Sequence, residues 1–413
     1  MQANILESLA NEVETEVQAV YRDIEAMAMK NHQRVLEGFH LARTADYHLR
    51  GTTGYGYNDA GRDALEKIYA HVFGAEAALV RGQIVSGTHA IAIALFGLLR
   101  PGDELLAVQG SPYDTLEEII GKRGNASGSL KDFGVSYNQV ELTSGGTLAW
   151  DNIKKALNPR TKVVLIQRSR GYAWRPPLTM QELQKLVGFI REHAPHVYVF
   201  VDNCYGELVE NLEPTVVGAD LAAGSLMKNP GGGLAPTGGY VVGRKDLVEA
   251  ASHRWTAPGI GAEVGPSLDV QRLLMQGIFL APHVVAEALK GAVFAARLFE
   301  RLGFKVSPAF DEPRSDIIQA IALETPERLV AFCRGIQGAS PVDAHALPEP
   351  DYMPGYEDDV IMAAGTFVQG ASLELTADAP LRQPYAVYLQ GGLSKEYVRI
   401  GVINAAKNVL QVK

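Results

Sequence analysis

A lysine followed by glycines is the feature of this sequence with the clearest chemical potential. Lys228 follows the apolar segment that begins at Ala222 and precedes the glycines at 231–233. A lysine amine can form an imine with an aldehyde cofactor once burial or a nearby cation lowers its pKa and frees the lone pair. Ser225, three residues earlier, could direct its hydroxyl to a phosphate. Taken alone, the motif would also suit a solvated surface lysine near a turn.

A second reactive group ends an apolar run. Asp202 follows the apolar residues 197–201, and open α/β sheets place their ligand sites at such strand ends. A carboxylate there can pair with a protonated pyridine nitrogen and keep the ring an electron sink. By itself, Asp202 could equally cap the next turn. The pair is more informative than either residue, because Lys228 lies only 26 positions after Asp202 (228 − 202).

Two further stretches suggest contacts to a phosphate and to a flat ring. Ser86, Gly87 and Thr88 directly precede a predicted helix, where free backbone N–H groups and the helix dipole favour an anion. The same residues would also serve as a plain N-cap. Tyr113 follows the predicted strand at 104–108 and could stack on a heterocycle or move protons. Its alternative role is an aromatic lid on the core.

An early loop offers three more candidates. Tyr55 and Tyr57 supply phenols, and Arg62 supplies a guanidinium suited to a phosphate. These residues are distant in sequence from the other motifs. We therefore expect them to act across a subunit boundary, if they act at all.

Alternating strands and helices are predicted to position these groups. Apolar strands without polar alternation, separated by helices, indicate a largely parallel sheet covered on both faces, which is a doubly wound α/β fold. The predicted strands are 77–80, 104–108, 163–166, 197–201 and 239–242, and the predicted helices are 59–73, 88–99, 116–120, 152–157 and 179–193.

The chain length predicts more than one domain. With 413 residues, the chain is too long for a single hydrophobic core. We expect a helical arm at residues 1–50, which packs on another subunit, and a large α/β domain at 51–300 that ends in long helices at about 263–302. Residues 301–413 are expected to form a smaller α+β domain.

Composition argues against several classes of partner. A net charge of −9 disfavours nucleic acid, which requires a clustered basic face. No run approaches the roughly 18 apolar residues that span a bilayer, so no membrane is expected. The two cysteines, Cys204 and Cys333, cannot build a disulfide framework and fit a reducing cytoplasm.

Rival catalytic classes lack their required motifs. Ser225 and Lys228 could form the Ser-x-x-Lys pair of a serine acyl-enzyme, but the Ser-Asp-Asn and Lys-Thr-Gly strings of that class do not occur. No GxGxxG marks a dinucleotide site. His193 and His196 lie close in sequence without HExxH or paired cysteines, so we predict no metal site.

The order of these motifs resembles fold-type I pyridoxal-phosphate (PLP) enzymes, particularly the cystathionine and methionine lyase group. Within that group, the chain is most similar to the methionine gamma-lyase-like branch, also called aluminium-resistance proteins. The segments 167–172, 225–233 and 388–393 carry this resemblance. The likeness extends from the Tyr55 region to the C-terminus and so covers most of the chain.

The resemblance implies a role for each candidate. Lys228 would be the Schiff-base lysine, Asp202 the partner of the pyridine nitrogen, and Tyr113 the stacked aromatic. The phosphate would lie among four small residues, which are Ser86, Gly87, Thr88 and Ser225. Tyr57 and Arg62 would reach the phosphate of a neighbouring subunit, which implies a homodimer or homotetramer.

The chain also departs from the better-known lyases. Those enzymes have an Asn-Pro turn where this chain has Arg168, Arg170 and Arg175. The arginine that holds the substrate carboxylate is ambiguous. We favour Arg382, because it precedes a strand-like segment, and keep Arg399 as the alternative, with Tyr55 as a further substrate contact.

The sequence therefore predicts a PLP-dependent carbon–sulfur lyase. It would act by β- or γ-elimination on a sulfur-containing L-amino acid, similar to methionine or cystathionine. A PLP-dependent aminotransferase, or a non-catalytic protein that binds PLP or another ligand, are the alternatives. An aminotransferase uses the same early steps, so the sequence does not separate the two enzymes.

Overall fold

The computed structural model of the protein begins with two consecutive helices. It describes residues 2–124, 127–353 and 356–412, so residue 1 of the predicted arm lies outside the described residues. Helix α1 covers Gln2–Glu16 and helix α2 covers Gln18–Leu41. Apolar residues recur on their buried faces at helical spacing, for example Leu6, Ala10 and Val13 in α1. The helical character predicted for the arm is confirmed for these residues.

Strands and helices alternate over the following part of the chain, as predicted. The helices are α3 (Ala60–Phe73), α4 (Gly87–Leu98), α5 (Asp114–Ile120), α6 (Trp150–Ala156), α7 (Met180–His193) and α8 (Lys245–Trp255). The strands are β1 (Ala77–Arg81), β2 (Glu104–Ala107), β3 (Ser136–Gln139), β4 (Thr161–Gln167), β5 (Tyr198–Asp202), β6 (Leu221–Ser225) and β7 (Gly239–Gly243).

In the described parts of the chain these strands form one seven-stranded sheet. Its order is β1-β7-β6-β5-β4-β2-β3. The five strands from β3 to β6 along this order pair in parallel, whereas β7 runs antiparallel to both of its neighbours. Strand β6 is buried along its whole length, and β5 is buried at every residue after Tyr198. The predicted mostly parallel sheet covered by helices is confirmed.

The sequence patterns missed two strands. Strand β6 reads Leu-Ala-Ala-Gly-Ser, and its small residues have low strand propensity, although the burial of the strand in the sheet overrides this. Strand β3 is a partly exposed edge strand of polar residues, Ser-Tyr-Asn-Gln, which gives no apolar signal. Tertiary context, rather than local sequence, determines both strands.

The rest of the chain adds a long helix and a second sheet. The predicted group of long helices at 263–302 is a single helix that begins later, preceded by short 3-10 turns at Gly261–Glu263 and Leu268–Val270. The described elements are α9 (Gln271–Arg301), β8 (Lys305–Ser307), β9 (Ile318–Ala322), α10 (Pro326–Gly338), β10 (Val360–Ala363), β11 (Thr376–Pro380), β12 (Ala386–Gln390) and α11 (Lys395–Gln411). In the described residues the second sheet is antiparallel, with the order β10-β11-β12-β9-β8.

One described stretch is long and apolar enough to cross a bilayer. Leu268–Arg301 meets this test of length and composition, contrary to the expectation that no run would approach it. However, 83% of its most apolar window is buried inside the protein. A core helix of a large domain has the same character, because it is covered by protein on most of its surface.

The turn after Lys228 rests directly on α9 through backbone contact. A Cβ atom added at Gly277 in α9 would lie 2.4 Å from the carbonyl oxygen of Gly231. A Cβ added at Gly232, whose φ is +54°, would lie 2.3 Å from the carbonyl oxygen of Gly277. Glycine on both sides is therefore what permits the approach, and α9 supports the turn that carries the lysine.

Replacing Gly277 tests this contact. We expect Gly277→Ala to lower the free energy of unfolding by about 1–3 kcal/mol, because the new methyl group overlaps the Gly231 backbone. Gly188 in α7 is a matched control, since a Cβ added there meets no atom within 4 Å. Gly188→Ala should stabilise the protein by up to about 1 kcal/mol through helix propensity. Urea denaturation measures both, and equal effects would contradict the contact.

Candidate active site

A cavity of about 270 Å³ lies where the carboxyl ends of the central parallel strands face the second sheet. Open α/β sheets bind ligands at this edge. The cavity brings together most of the candidates from the sequence, which are Ser86, Gly87, Thr88, Tyr113, Asp202, Ser225 and Lys228. Strand register explains the grouping, because Gln167 of β4 lies opposite Asp202, and Asp202 lies opposite Ala223 of β6.

Lys228 extends into the cavity against an aromatic ring. Its Nζ lies 3.9 Å from the centroid of the Tyr205 ring, a cation–π contact. Tyr205 has a φ of 72°, a left-handed conformation that is costly for a bulky residue and is typical of functional sites. The Tyr205 hydroxyl lies 3.1 Å from Oγ of Ser372, which ties this residue to the second sheet.

The lysine and the aspartate of the cavity influence each other's protonation. Burial raises the pKa of Asp202, while the charge of Lys228 opposes that rise. Desolvation disfavours the ammonium of Lys228, but the electrostatic effects of its polar neighbours outweigh desolvation. These neighbours are Cys204, Tyr205, Tyr113 and Asp202, and they raise the pKa of Lys228 well above its ordinary value. The direction of this shift is opposite to the lowering that frees the lysine lone pair, so Lys228 is an ammonium at neutral pH.

The N-terminus of α4 forms one wall of the cavity. Oγ of Ser86 accepts a hydrogen bond from the backbone N–H of His89 at 3.1 Å and caps the helix. A Cβ added at Gly87 would lie 2.9 Å from Sγ of Cys204 and 3.3 Å from Cβ of Ser225, so only glycine leaves this wall free. Oγ of Ser225 accepts from the N–H of Met227 at 3.1 Å. Helix dipole and hydroxyl groups together suit an anion.

Tyr113 stands at the start of α5 and borders the same space. Its backbone N–H donates to Oε1 of Gln167 at 3.0 Å, which fixes it beside the end of β4. Its hydroxyl lies 2.9 Å from the hydroxyl of Tyr356. The ring is thus held in place on one side of the cavity, as a stacking aromatic would need to be.

Three predicted residues from the early loop, Tyr55, Tyr57 and Arg62, lie outside the cavity lining. Tyr55 and Tyr57 are exposed and stack on each other with ring centroids 5.4 Å apart. Arg62 is buried, and its Nη1 donates to the carbonyl oxygens of Gly56 and Gly265 at 2.9 and 3.2 Å. Within this chain the guanidinium of Arg62 is therefore hydrogen-bonded to backbone carbonyl groups. Its predicted contact to a neighbouring subunit stays a prediction.

Neither candidate for the substrate carboxylate lines the cavity. Arg382 pairs with Asp358 at 3.0 Å and donates to the carbonyl oxygen of Tyr172. Arg399 pairs with Glu7 at 3.3 Å and also donates to Asn11, both on α1. Among the described residues that line the cavity there is no arginine. The roles predicted for Arg382 and Arg399 stay predictions.

The arginines that set this chain apart after β4 form buried contacts. Arg168 is fully buried and pairs with Glu210 at 3.1 Å and with Glu213 at 3.5 Å. Nη1 of Arg170 donates to the carbonyl oxygen of Ser307 at 2.7 Å. Neither arginine lines the cavity. They stabilise the structure behind the site and join it to the start of the second sheet.

The residues that the second sheet and its loops contribute to the cavity were not predicted from the sequence. Tyr356, Asp378 and Gln390 line the cavity, together with Tyr172. Oδ2 of Asp378 accepts hydrogen bonds from the Tyr172 hydroxyl at 2.8 Å and from Nε2 of Gln390. Gln390 and Tyr172 fall within segments that carried the family resemblance. Asp378 and Tyr356 gave no local signal, because only tertiary folding brings them to the site.

A buried carboxyl lies just behind Lys228. Glu207 is fully buried, its Oε1 accepts from the Tyr240 hydroxyl at 2.8 Å, and within the described residues its Oε2 has no hydrogen-bond donor. Burial raises the pKa of Glu207 to about 8, against the hydrogen bonds that favour its charged form. Glu207 is therefore mostly neutral near pH 7.

This carboxyl predicts a pH dependence of stability. Folding raises the pKa of Glu207, so its protonation favours the folded state. This contribution to the free energy of unfolding is fully present below about pH 4.5 and is lost as the pH rises towards 8. Glu207→Gln should reduce the loss of unfolding free energy between pH 5 and 8 by up to about 3 kcal/mol. Urea denaturation across this range measures it. Glu192→Gln, at an exposed position, should retain the wild-type slope, and an unchanged slope in Glu207→Gln would contradict the assignment.

Comparison with known proteins gives a consistent result. The family model described as methionine gamma-lyase matches residues 6–410. The chain is 55% identical over 408 residues to the uncharacterized protein YnbB of Bacillus subtilis (strain 168), covering 98% of this chain and 97% of that protein. These matches extend over both sheets and the N-terminal helices.

Solved structures share the same architecture. A carbon-sulfur lyase involved in aluminum resistance from Clostridium novyi NT superposes with a TM-score of 0.94 at 46% identity, covering 98% of this chain and 95% of that one. The pyridoxal-5'-phosphate dependent protein YhfS from Escherichia coli has a TM-score of 0.62 at 18% identity, covering 93% and 97%. The latter likeness concerns the fold alone.

Proposed function

The chain belongs to the methionine gamma-lyase family, and on that premise we propose that it is a PLP-dependent carbon–sulfur lyase. Its substrate is a sulfur-containing L-amino acid, which it cleaves by β- or γ-elimination. The observation that carries this proposal is the joint placement of Lys228, Asp202 and the α4 N-terminus in one cavity.

The residues present fit PLP in each of its functional groups. The α4 N-terminus, left open by Gly87 and flanked by the hydroxyls of Ser86, Thr88 and Ser225, suits the phosphate. The buried carboxylate of Asp202 suits a protonated ring nitrogen, since a buried charge requires a partner of opposite sign. The ring of Tyr113 suits stacking on a flat heterocycle, and Lys228 is the amine for covalent attachment.

Each residue then has a chemical task. When bound, PLP supplies an electron sink for the charge that develops at the substrate Cα. Lys228, once it has lost its proton, would take the Cα proton as general base, and the negative charge of Asp202 would keep the ring nitrogen protonated. The hydroxyl of Tyr113, or the ammonium of Lys228, donates a proton to the departing sulfur.

The overall reaction balances without an added oxidant or reductant. In β-elimination the Cβ–S bond breaks, the sulfur leaves as a thiol, and water is consumed. The remaining carbon skeleton is released as an α-keto acid, and the amino group is released as ammonium. Equal amounts of thiol, keto acid and ammonia therefore distinguish a lyase from an aminotransferase, which passes the amino group to another keto acid.

The proposal extends to the location, oligomeric state and domain organisation of the enzyme. A cytoplasmic location fits the two free cysteines, Cys204 and Cys333, both of which are buried. A homodimer or homotetramer fits the exposed Tyr55 and Tyr57, which are available to a neighbouring subunit. Three units at residues 1–50, 51–300 and 301–413 fit the helical arm and the two sheets.

Replacing the lysine tests the proposed role directly. Lys228→Ala, incubated with PLP and a sulfur amino acid, should lose at least about a hundredfold in turnover, because the general base is removed. Release of thiol, keto acid and ammonia measures the rate. Lys245→Ala, at an exposed lysine on α8, should retain the wild-type rate within about twofold. Near-wild-type turnover in Lys228→Ala would disprove the role.

A further inference from the structure

One acidic side chain in the cavity has no task in the chemistry above. Asp378 lies on β11 and is 8% exposed, yet it borders the same cavity as Lys228. The hydrogen bonds from Tyr172 and Gln390 both reach its Oδ2. They hold the carboxylate in a fixed orientation on the wall that the second sheet contributes.

The second oxygen of this carboxylate is available to a ligand. In the part of the chain that the structure describes, no donor is hydrogen-bonded to Oδ1 of Asp378. The charge of Lys228 acts on this carboxylate, but the two side chains do not form a direct ion pair among the described residues. Oδ1 is also not among the described polar atoms that are both fully enclosed and unpaired. It is therefore open to the cavity.

The charges of the cavity favour a cationic group at this wall. Lys228 is the one cation among the described lining residues, and the proposed function assigns it to the cofactor. A carboxylate kept from water without a partner is costly, and a cation placed against it recovers much of that cost. Burial raises the pKa of Asp378 to about 6, against the hydrogen bonds from Tyr172 and Gln390 and the charge of Lys228. The group is thus mostly ionised at neutral pH.

We propose that Asp378 binds a second ammonium group of the substrate, carried on the part that leaves with sulfur. Lys228 follows β6 of the first sheet, whereas Asp378 lies on β11 of the second sheet. A substrate whose α-amino group meets the cofactor at Lys228 would therefore extend its far end towards the wall that carries Asp378. The preferred substrates are then S-substituted L-cysteines or L-homocysteines with a basic amino group on that substituent. This inference rests on the proposed function and specifies its substrate class.

A purely positioning role for Asp378 makes a different prediction. If the carboxylate only holds Tyr172 in place, its loss should affect all substrates of similar size equally. If it binds an ammonium group, only substrates with that group should be affected. A pair of substrates matched in length therefore separates the two roles.

The first test uses S-(2-aminoethyl)-L-cysteine and S-propyl-L-cysteine, which differ by an ammonium group in place of a methyl group. Wild-type enzyme should favour the aminoethyl substrate in kcat/KM by at least about tenfold. Asp378→Asn should remove most of this preference, mainly by raising KM for the aminoethyl substrate. Asp311→Asn, the same change at an exposed carboxylate, should retain the preference.

The second test measures binding without turnover. Calorimetry of the PLP-loaded protein should show tighter binding of L-lysine than of L-norleucine, and Asp378→Asn should reduce the difference. If the enzyme cleaves neither cysteine derivative but still binds L-lysine more tightly than L-norleucine, the lyase proposal is overturned and the ammonium site is supported. The absence of a wild-type preference in both pairs would overturn the site even if Asp378→Asn failed to fold. Equal effects of the variant on both members of each pair would overturn it as well.

Discussion

The parallel register of β4, β5 and β6 is the constraint on which the site depends. It places Gln167, Asp202 and Ala223 side by side, so that the chain leaving each strand enters the same space. A shift of one residue in β5 would turn Asp202 to the other face of the sheet. Asp202 ends a buried apolar strand, and among the described residues its carboxylate accepts one backbone hydrogen bond, from the N–H of Cys204 at 3.1 Å, so its charge also requires a cation in the cavity. Lys228, three residues after β6, meets this requirement from the neighbouring strand.

The surroundings of the cavity fix Lys228 and Asp202 in place. Backbone contact between Gly231 and Gly277 leaves the turn after Lys228 no room to move towards α9. Behind the strands, fully buried Arg168 and Glu213 form an ion pair that is shared with Glu210. Such pairs contribute little net stability, but losing one partner is costly, so they favour a single arrangement. The rigid side of the site thus comes from the first sheet.

Local patterns predict the first-sheet half of the site and fail for the other half. Asp202 and Ser86 were predictable because the end of a strand and the start of a helix can each be recognised from the sequence. The same strand end and helix start place these two side chains at the cavity. Strand β6 was missed because its small residues resemble a loop, although the lysine after it was found. Asp378 and Tyr356 line the cavity although they follow Lys228 by more than 100 residues in sequence. No local pattern encodes that approach, so the substrate-facing wall emerged only from the three-dimensional structure.

We propose that Lys228 carries PLP in a cavity whose other groups are arranged around the cofactor. The absorption spectrum of the purified protein with PLP, followed by borohydride reduction and peptide mapping, tests this attachment. We expect a band near roughly 420 nm that disappears on reduction, with the reduced label on Lys228. A protein that shows no such band after incubation with PLP, or that carries the label on another lysine, would contradict it.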